Sequence, residues 1–410
     1  MTLLSGKRIV LAVTGSIAVY KSVDLASKLT QAGAEVDVIM TEAAQRFVAP
    51  LTFQSVTGRA VYTHLWETES SGDLPTHIAH VGMGEGADLL AVIPATAHTI
   101  ARLATGMADD LLTITALATQ APLLLAPAMD GSMYQHPAMY SNLRTLRQRD
   151  AYIVEPDTGR FASGLVGQGR LPDTPTLIGH MRLLLGQDGV LAGRRIVVTA
   201  GGTREPLDPV RYITNHSSGK QGYAIAQAAL DAGADVTLIS SANLTAPIGA
   251  DVVPVATAVE LRDAVVAAAT DADVLVMAAA VADYRPATVA EQKIKKSDSM
   301  DDGITVEMVR NPDILMDVKA LRNTNGYPRV VVGFAAESEN LMANARSKLM
   351  RKGLDMLVAN DITAKDAGFA VDTNRVTILS DEHAAEPMEL QTKAQVAEVI
   401  IDRIAALLDT

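Results

Sequence analysis

Lys7-Arg8-Ile9-Val10-Leu11-Ala12-Val13-Thr14-Gly15-Ser16 opens one structural unit, and Arg194-Arg195-Ile196-Val197-Val198-Thr199-Ala200-Gly201-Gly202-Thr203 opens a second of the same kind. In each, a short apolar run rich in β-branched residues breaks on glycine and small polar residues, and a helical pattern follows. Runs of this length bounded by such breaks read as buried strands. Each helix ends on Ala-Gly-Ala and feeds another strand run, through Gly33 toward Ile39 in one case and through Gly233 toward Ile239 in the other. Gly33 and Gly233 fall where a chain leaves a helix with positive φ, which only glycine adopts cheaply. The chain therefore begins the same βαβ architecture twice.

Working outward, strand candidates in the first half are Leu89–Ile93 and Pro122–Ala126. In the second half they are Val274–Met277, Arg329–Val332, Met356–Val358 and Arg375–Leu379. Leu171-Pro172-Asp173-Thr174-Pro175, a short amphipathic helix and Gly186-Gln187-Asp188-Gly189 separate the halves. This predicts an α/β protein with two doubly wound domains, 1–190 and 191–410, joined by a helical linker. The last helix is expected over Val396–Leu408, with a core-facing stripe at 396, 399, 400, 404, 407 and 408.

The bulk numbers agree. A chain of 410 residues exceeds one ordinary core. Aromatics make up only 4%, so the cores must be aliphatic, as suits parallel sheets covered on both faces. A net charge of −12 argues against a nucleic-acid partner. There is no cysteine, which excludes disulfides, thiolate metal sites and cysteine nucleophiles. The longest apolar runs fall well short of the ~20 residues that a membrane span needs. The run after Lys7-Arg8 is too brief for a signal peptide, so a soluble, cytoplasmic protein is expected.

Gly15-Ser16-Ile17-Ala18 and Pro94-Ala95-Thr96-Ala97 both follow strands. In a doubly wound sheet such turns lie at the carboxyl edge, where backbone N–H groups can hold a phosphate. Neither half carries G-x-G-x-x-G, and Ser217-Ser218-Gly219-Lys220 fails the P-loop pattern at Thr214 and Gln221. Lys293-Ile294-Lys295-Lys296 and the trio Lys348, Arg351 and Lys352 are basic runs; the trio has the spacing of one helix face. They read as solvated surface or as a triphosphate site. Eight histidines are present without metal-ligand spacing.

Taken in order, these strings resemble the bifunctional phosphopantothenoylcysteine decarboxylase/phosphopantothenate–cysteine ligase family. The second half carries Gly201-Gly202-Thr203-Arg204-Glu205-Pro206, Asn215-His216-Ser217-Ser218-Gly219-Lys220, Ala278-Ala279-Ala280-Val281-Ala282-Asp283, Asn311-Pro312-Asp313-Ile314 and Gly333-Phe334-Ala335-Ala336-Glu337. The resemblance implies a CTP- and Mg²⁺-dependent ligase that joins 4'-phosphopantothenate to cysteine through an acyl cytidylate. It makes Asn215 the group that stabilises the intermediate and Lys293 the group that neutralises phosphate charge. It places the nucleotide against Met277, Ala278, Ala279, Asp283, Pro312, Asp313, Ile314, Leu315, Phe334, Lys348 and Lys352.

The first half resembles the FMN-dependent decarboxylases through Gly15-Ser16-Ile17-Ala18, Thr76-His77-Ile78, Pro94-Ala95-Thr96-Ala97 and Gly106-Met107-Ala108-Asp109-Asp110-Leu111. The resemblance implies decarboxylation of 4'-phospho-N-pantothenoylcysteine, with His77 as base and FMN against Gly15, Ser16, Ile17, Thr41, Phe47, Thr96, Ala97 and Met129. It also implies a homo-oligomer through both halves. Two positions depart from the family's pattern. Asp130 stands for an asparagine that grips the substrate carboxylate, and Ser163 for a cysteine acid in a flap that still carries Gly167-Gln168-Gly169-Arg170. A ligase with an impaired or non-catalytic FMN-binding half is the alternative.

Overall fold

The computed structural model describes residues 3–65, 79–295, 304–337, 341–361, 371–380 and 385–409. Its contacts divide the chain into Met1–Leu185 and Gly186–Thr410.

The N-terminal unit holds β1 (Arg8–Val13), β2 (Glu35–Met40), β3 (Val61–Tyr62), β4 (Leu89–Ala95), β5 (Leu123–Pro127) and β6 (Tyr152–Ile153). They form one sheet in the order β3-β2-β1-β4-β5-β6, every pair parallel. Side chains alternate along a strand, so a fully apolar strand must be covered twice. Ile9, Leu11, Val13, Leu89, Ala91 and Ile93 enter one core, and Val10, Ala12, Leu90 and Val92 enter another on the opposite face. An antiparallel hairpin, Asp157–Arg160 with Val166–Arg170, follows β6. The expected linker helix runs over Thr174–Gly186 and is no bare connection. Leu177 and Met181 are fully buried in the N-terminal core, so most of its length belongs to that unit.

The C-terminal unit holds β7 (Arg195–Ala200), β8 (Asp235–Ser240), β9 (Asp251–Pro254), β10 (Val274–Met277), β11 (Val330–Glu337), β12 (Met356–Asp361), β13 (Val376–Ser380) and β14 (Glu386–Pro387). Their order is β9-β8-β7-β10-β11-β12-β13-β14. The first six are parallel, and β13 and β14 add antiparallel pairs at one edge. Both units are thus doubly wound, and in each the strand order reverses beside the first strand. Gly33 and Gly233 each have φ of +89°, as the repeated Ala-Gly-Ala requires.

Two strands run further than their apolar runs predict. β11 continues to Glu337 and β12 to Asp361, which carries Phe334 and Asn360 toward the carboxyl edge. The last helix starts at Lys393, because Thr392 and Gln395 form a capping box. Its buried stripe includes Ala397 and Ile401, while Val399 and Leu407 are only partly buried.

Candidate active sites at the two carboxyl edges

A cavity of about 930 Å³ opens at the carboxyl edge of the C-terminal sheet. β10 delivers Met277 to it, and the following turn delivers Ala278, Ala279 and Asp283. Thr199 in β7 and Thr203 in the turn that follows it fix the turn after β10. Thr199 Oγ1 accepts from the Ala279 N–H and Thr203 Oγ1 from the Ala282 N–H, each at 3.0 Å. Asn311 braces the turn from the other side, its Nδ2 donating to the Ala282 carbonyl at 2.8 Å. Pro312, Asp313, Ile314 and Leu315 line the cavity at the start of the helix Ile314–Asn325, and Asp313 caps that helix by accepting the Met316 N–H. Phe334 enters from β11.

The cationic wall comes from the helix Leu341–Lys352. Lys348, Arg351 and Lys352 all line the cavity, as their spacing predicts. Lys348 Nζ donates to the Phe334 carbonyl at 2.7 Å, and Lys352 pairs with Asp313. Asn215 is also on the lining, its Nδ2 donating to the Val281 carbonyl at 3.0 Å. An amide has two N–H bonds, so the contact uses one and leaves one for a ligand.

Lys293 is exposed and is not among the described residues that line the cavity. Its neighbour Ile294 is anchored, donating its N–H to Asp208 Oδ2 at 3.1 Å. Asp208 also takes Arg211 at 2.6 Å, and that guanidinium holds the carboxyl far below the usual range. Lys296 lies outside the described residues.

Sequence reasoning missed other lining residues: Lys220, Arg310, Asn360, Asn374 and Lys393. Lys220 was legible as the end of Ser217-Ser218-Gly219-Lys220, once the failed P-loop match no longer dismissed it. Lys393 was legible from the Thr392–Gln395 capping box, which sets the helix start.

At the carboxyl edge of the N-terminal sheet, Thr14 ties the turns after β1 and β4 together. Its hydroxyl donates to the Pro94 carbonyl at 2.6 Å and accepts from the Thr96 N–H at 3.1 Å. Gly15 and Ser16 therefore sit beside Thr96 and Ala97, across the point where the strand order reverses. Thr96 caps the helix Ala97–Thr105, and Thr41 caps Glu42–Gln45 after β2. Ile17 and Phe47 are large apolar side chains left 60% and 50% exposed. After β5, the Met129 N–H donates to the Gly169 carbonyl at 3.0 Å, which pins the hairpin to this edge. At the hairpin's tip Ser163 Oγ donates to Asp130 Oδ2 at 2.9 Å, and Asp130 also accepts from the Ser132 N–H. The Ser163 hydroxyl, first, and then that N–H hold the Asp130 carboxyl below its ordinary value. Asp110, in another of the quoted strings, caps the helix Leu111–Ala118 through a capping box with Thr113. His77 lies outside the described residues.

These two edges belong to a two-domain α/β protein in which a flavoprotein-type unit precedes a unit whose cavity is lined by several cations. A family model for the flavoprotein domain matches residues 2–182, and one for the DNA/pantothenate metabolism flavoprotein C-terminal domain matches residues 191–408. The coenzyme A biosynthesis bifunctional protein CoaBC of Vibrio cholerae is 44% identical, over 98% of this chain and 99% of its own. Its namesakes in Bacillus subtilis and Mycobacterium tuberculosis are 43% and 45% identical, over 99% and 98% of this chain and 98% and 97% of theirs. The chain belongs to the CoaBC family, and it is a bifunctional enzyme of coenzyme A biosynthesis with decarboxylase and ligase activities.

Proposed function

We propose that the C-terminal unit activates 4'-phosphopantothenate with CTP and passes the acyl group to cysteine. The observation that carries this is the cavity itself. Three cations on one helix face, Lys348, Arg351 and Lys352, stand in one lining with the Met277–Asp283 turn and Asn215. A carboxylate oxygen attacks the α-phosphorus of CTP and pyrophosphate leaves, its charge met by those cations. The cysteine amine then attacks the acyl carbon, CMP leaves and the amine's extra proton is lost. The remaining N–H of Asn215 serves the charge that develops on the carbonyl oxygen. Mg²⁺ would enter with the triphosphate and share its charge.

In the N-terminal unit the residues fit FMN: exposed Ile17 and Phe47 suit a flat ring system, and the hydroxyl-bearing turns at Gly15-Ser16 and Thr96-Ala97 suit a phosphate. When bound, FMN supplies the electron chemistry of decarboxylation. His77, outside the described residues, would be the base, and Met129 would be among the residues that hold the flavin. CTP is a cytoplasmic nucleotide, so we place the enzyme there, as a homo-oligomer.

The test is to give the chain 4'-phosphopantothenate, cysteine, CTP and Mg²⁺, and to identify the product by mass. Release of pyrophosphate, CMP and CO₂ is expected. Equal turnover with ATP would overturn the nucleotide assignment. One observation favours a second reading, a ligase with an impaired first half. Asp130 stands where the resemblance implies an asparagine that grips the substrate's carboxylate, and like charges repel. Accumulation of the carboxylated product by an FMN-loaded chain would support it.

A further inference from the structure

Arg204–Pro206 and Tyr212–Thr214 pair as a short antiparallel hairpin whose tip, Leu207–Arg211, does not line the large cavity. At that tip Asp208 is buried, and its two oxygens do separate jobs. Oδ1 accepts the Val210 and Arg211 N–H groups, both at 2.8 Å, and so closes the turn. Oδ2 accepts the Arg211 guanidinium, from Nε at 3.0 Å and Nη2 at 2.6 Å, and also the Ile294 N–H at 3.1 Å. Arg211 Nη2 in turn donates to the Ile294 carbonyl at 2.8 Å. One ion pair therefore holds both backbone polar groups of Ile294. For closing the turn alone a neutral asparagine would serve, without the cost of burying a carboxylate. The second oxygen is instead spent on a segment 86 positions away. The hairpin tip grips that segment at another point, where the Ala290 N–H donates to the Leu207 carbonyl at 3.0 Å. Exposed Lys293 lies between the two anchor points, and Asn215 follows directly on the hairpin's second strand.

We propose that Asp208 is a positioning residue of the ligase: through Arg211 and the backbone of Ile294 it fixes the place from which Lys293 supplies its charge. The proposal rests on the ligase reading above and on the phosphate-neutralising role that the resemblance gives Lys293. Asp208 touches no reactant. It sets where the backbone of Lys293 stands, and a long, flexible lysine is useful to a reacting phosphate only from a fixed base. The same hairpin leads into Asn215, so the two groups of the acyl transfer share one frame.

A double-mutant cycle on the full-length chain, read by pyrophosphate release, tests this. Asparagine at 208 has one acceptor oxygen for two jobs. Kept on the Val210 and Arg211 N–H groups, it turns an NH2 toward the Ile294 N–H and the guanidinium, donor against donor. Asp208→Asn should therefore keep the turn and lose the tie, lowering ligase kcat ~10- to 100-fold with KM for CTP unchanged. Added to Lys293→Gln, it should cost no more than about two-fold further, because the residue it positions is already gone. A merely structural role predicts losses that multiply. Multiplying losses, a KM for CTP that rises in step, or Asp208→Asn at wild-type kcat would each overturn the proposal. If Asp208→Asn fails to fold by circular dichroism, Arg211→Lys carries the same cycle: it keeps the cation and loses the fork that bonds Asp208 and the Ile294 carbonyl together. Wild-type chain that releases no pyrophosphate from CTP would sink the ligase reading, and Lys293→Gln at wild-type kcat would sink the role of Lys293, each taking this inference with it. A chain impaired by Lys293→Gln but not by Asp208→Asn loses only this inference.

Discussion

The two units share a strand order and part company at their carboxyl edges. In both, the order reverses between the first and fourth strands, at β1/β4 and at β7/β10. In both, a threonine from the first strand's end reaches the turn after the fourth: Thr14 to Thr96 and Thr199 to Ala279. The N-terminal edge then carries hydroxyls and exposed apolar side chains. The C-terminal edge carries Lys220, Arg310, Lys348, Arg351, Lys352 and Lys393 around one cavity. Topology decides where a ligand can sit, and the side chains of later elements decide what charge it has. The helix Leu341–Lys352, which brings three of those cations, packs against the fifth and sixth strands, far along the chain from the repeated opening.

The widest gap between the edges should appear at Asn215. Asn215→Asp replaces a donor with an acceptor and adds a negative charge facing the Val281 carbonyl. Ligase kcat should fall on the order of 10²–10³-fold, as when one oxyanion donor is removed. Equilibrium CTP binding should change little, and flavin binding by the N-terminal unit not at all. A variant with normal turnover would remove Asn215 from the chemistry.

Next in size are the cations. Lys352→Gln should raise KM for CTP by ~10- to 100-fold, since a charge-assisted bond is lost from a buried lysine. Lys293→Gln is the contrast. With Lys293 away from the lining, the same substitution should leave CTP affinity nearly intact and act, if at all, on kcat. Steady-state kinetics with CTP varied separates the two. Equal KM effects would bring Lys293 into the nucleotide site.

The shared architecture can be broken one unit at a time. A Cβ on Gly222 would lie 2.6 Å from Ala200 Cβ and 2.8 Å from the Thr199 carbonyl oxygen. On Gly15 it would lie 2.5 Å from Ala43 Cβ. Overpacking of this kind costs ~1–3 kcal/mol. Gly222→Ala should cost more, because a strand backbone must yield, whereas Gly15 meets chiefly one methyl group. Thermal unfolding should shift by roughly 2–4 °C per kcal/mol. Each substitution should lower the transition of its own unit, read by bound flavin for one and by CTP protection for the other. A common shift of both signals would mean that the units do not unfold separately.

How much of this could be read beforehand follows from range. Strand runs such as Ile9–Val13 and Val274–Met277 are local and doubly buried, so composition alone betrays them. Asp251–Pro254 is a largely exposed edge strand that ends on proline, and its apolar run is only Val252-Val253, too short to stand out. Phe334 and Asn360 sit on strand extensions paired by neighbouring strands, not by their own hydrophobicity. The trio Lys348, Arg351 and Lys352 showed in its spacing, while its place on one lining with Asn215 depends on a parallel crossover. Lys220 and Lys393 lie 173 positions apart, and no local pattern joins them.

The smallest expected effect tests the N-terminal edge, at the hydrogen bond between Ser163 and Asp130. The Ser163 hydroxyl bonds the ionised form of Asp130, so it depresses the carboxyl pKa. Ser163→Ala removes that bond and should raise the pKa toward the ordinary ~3.9, with the Ser132 contacts retaining part of the depression. Ser163→Cys should fall between, a thiol being a weaker donor. The sign of the linkage follows. A carboxyl with a depressed folded pKa contributes stability above its unfolded pKa and loses it as pH falls through the folded one. The tie between hairpin and turn should therefore hold at neutral pH and release in acid in the wild type, and be absent at every pH in Ser163→Ala. Carboxyl-carbon NMR titration of Asp130 reads the pKa directly, and amide exchange in Phe161–Gly164 reads the tie. An Asp130 pKa that does not move in Ser163→Ala would show that Ser132 alone holds the carboxylate, and would uncouple Ser163 from Asp130.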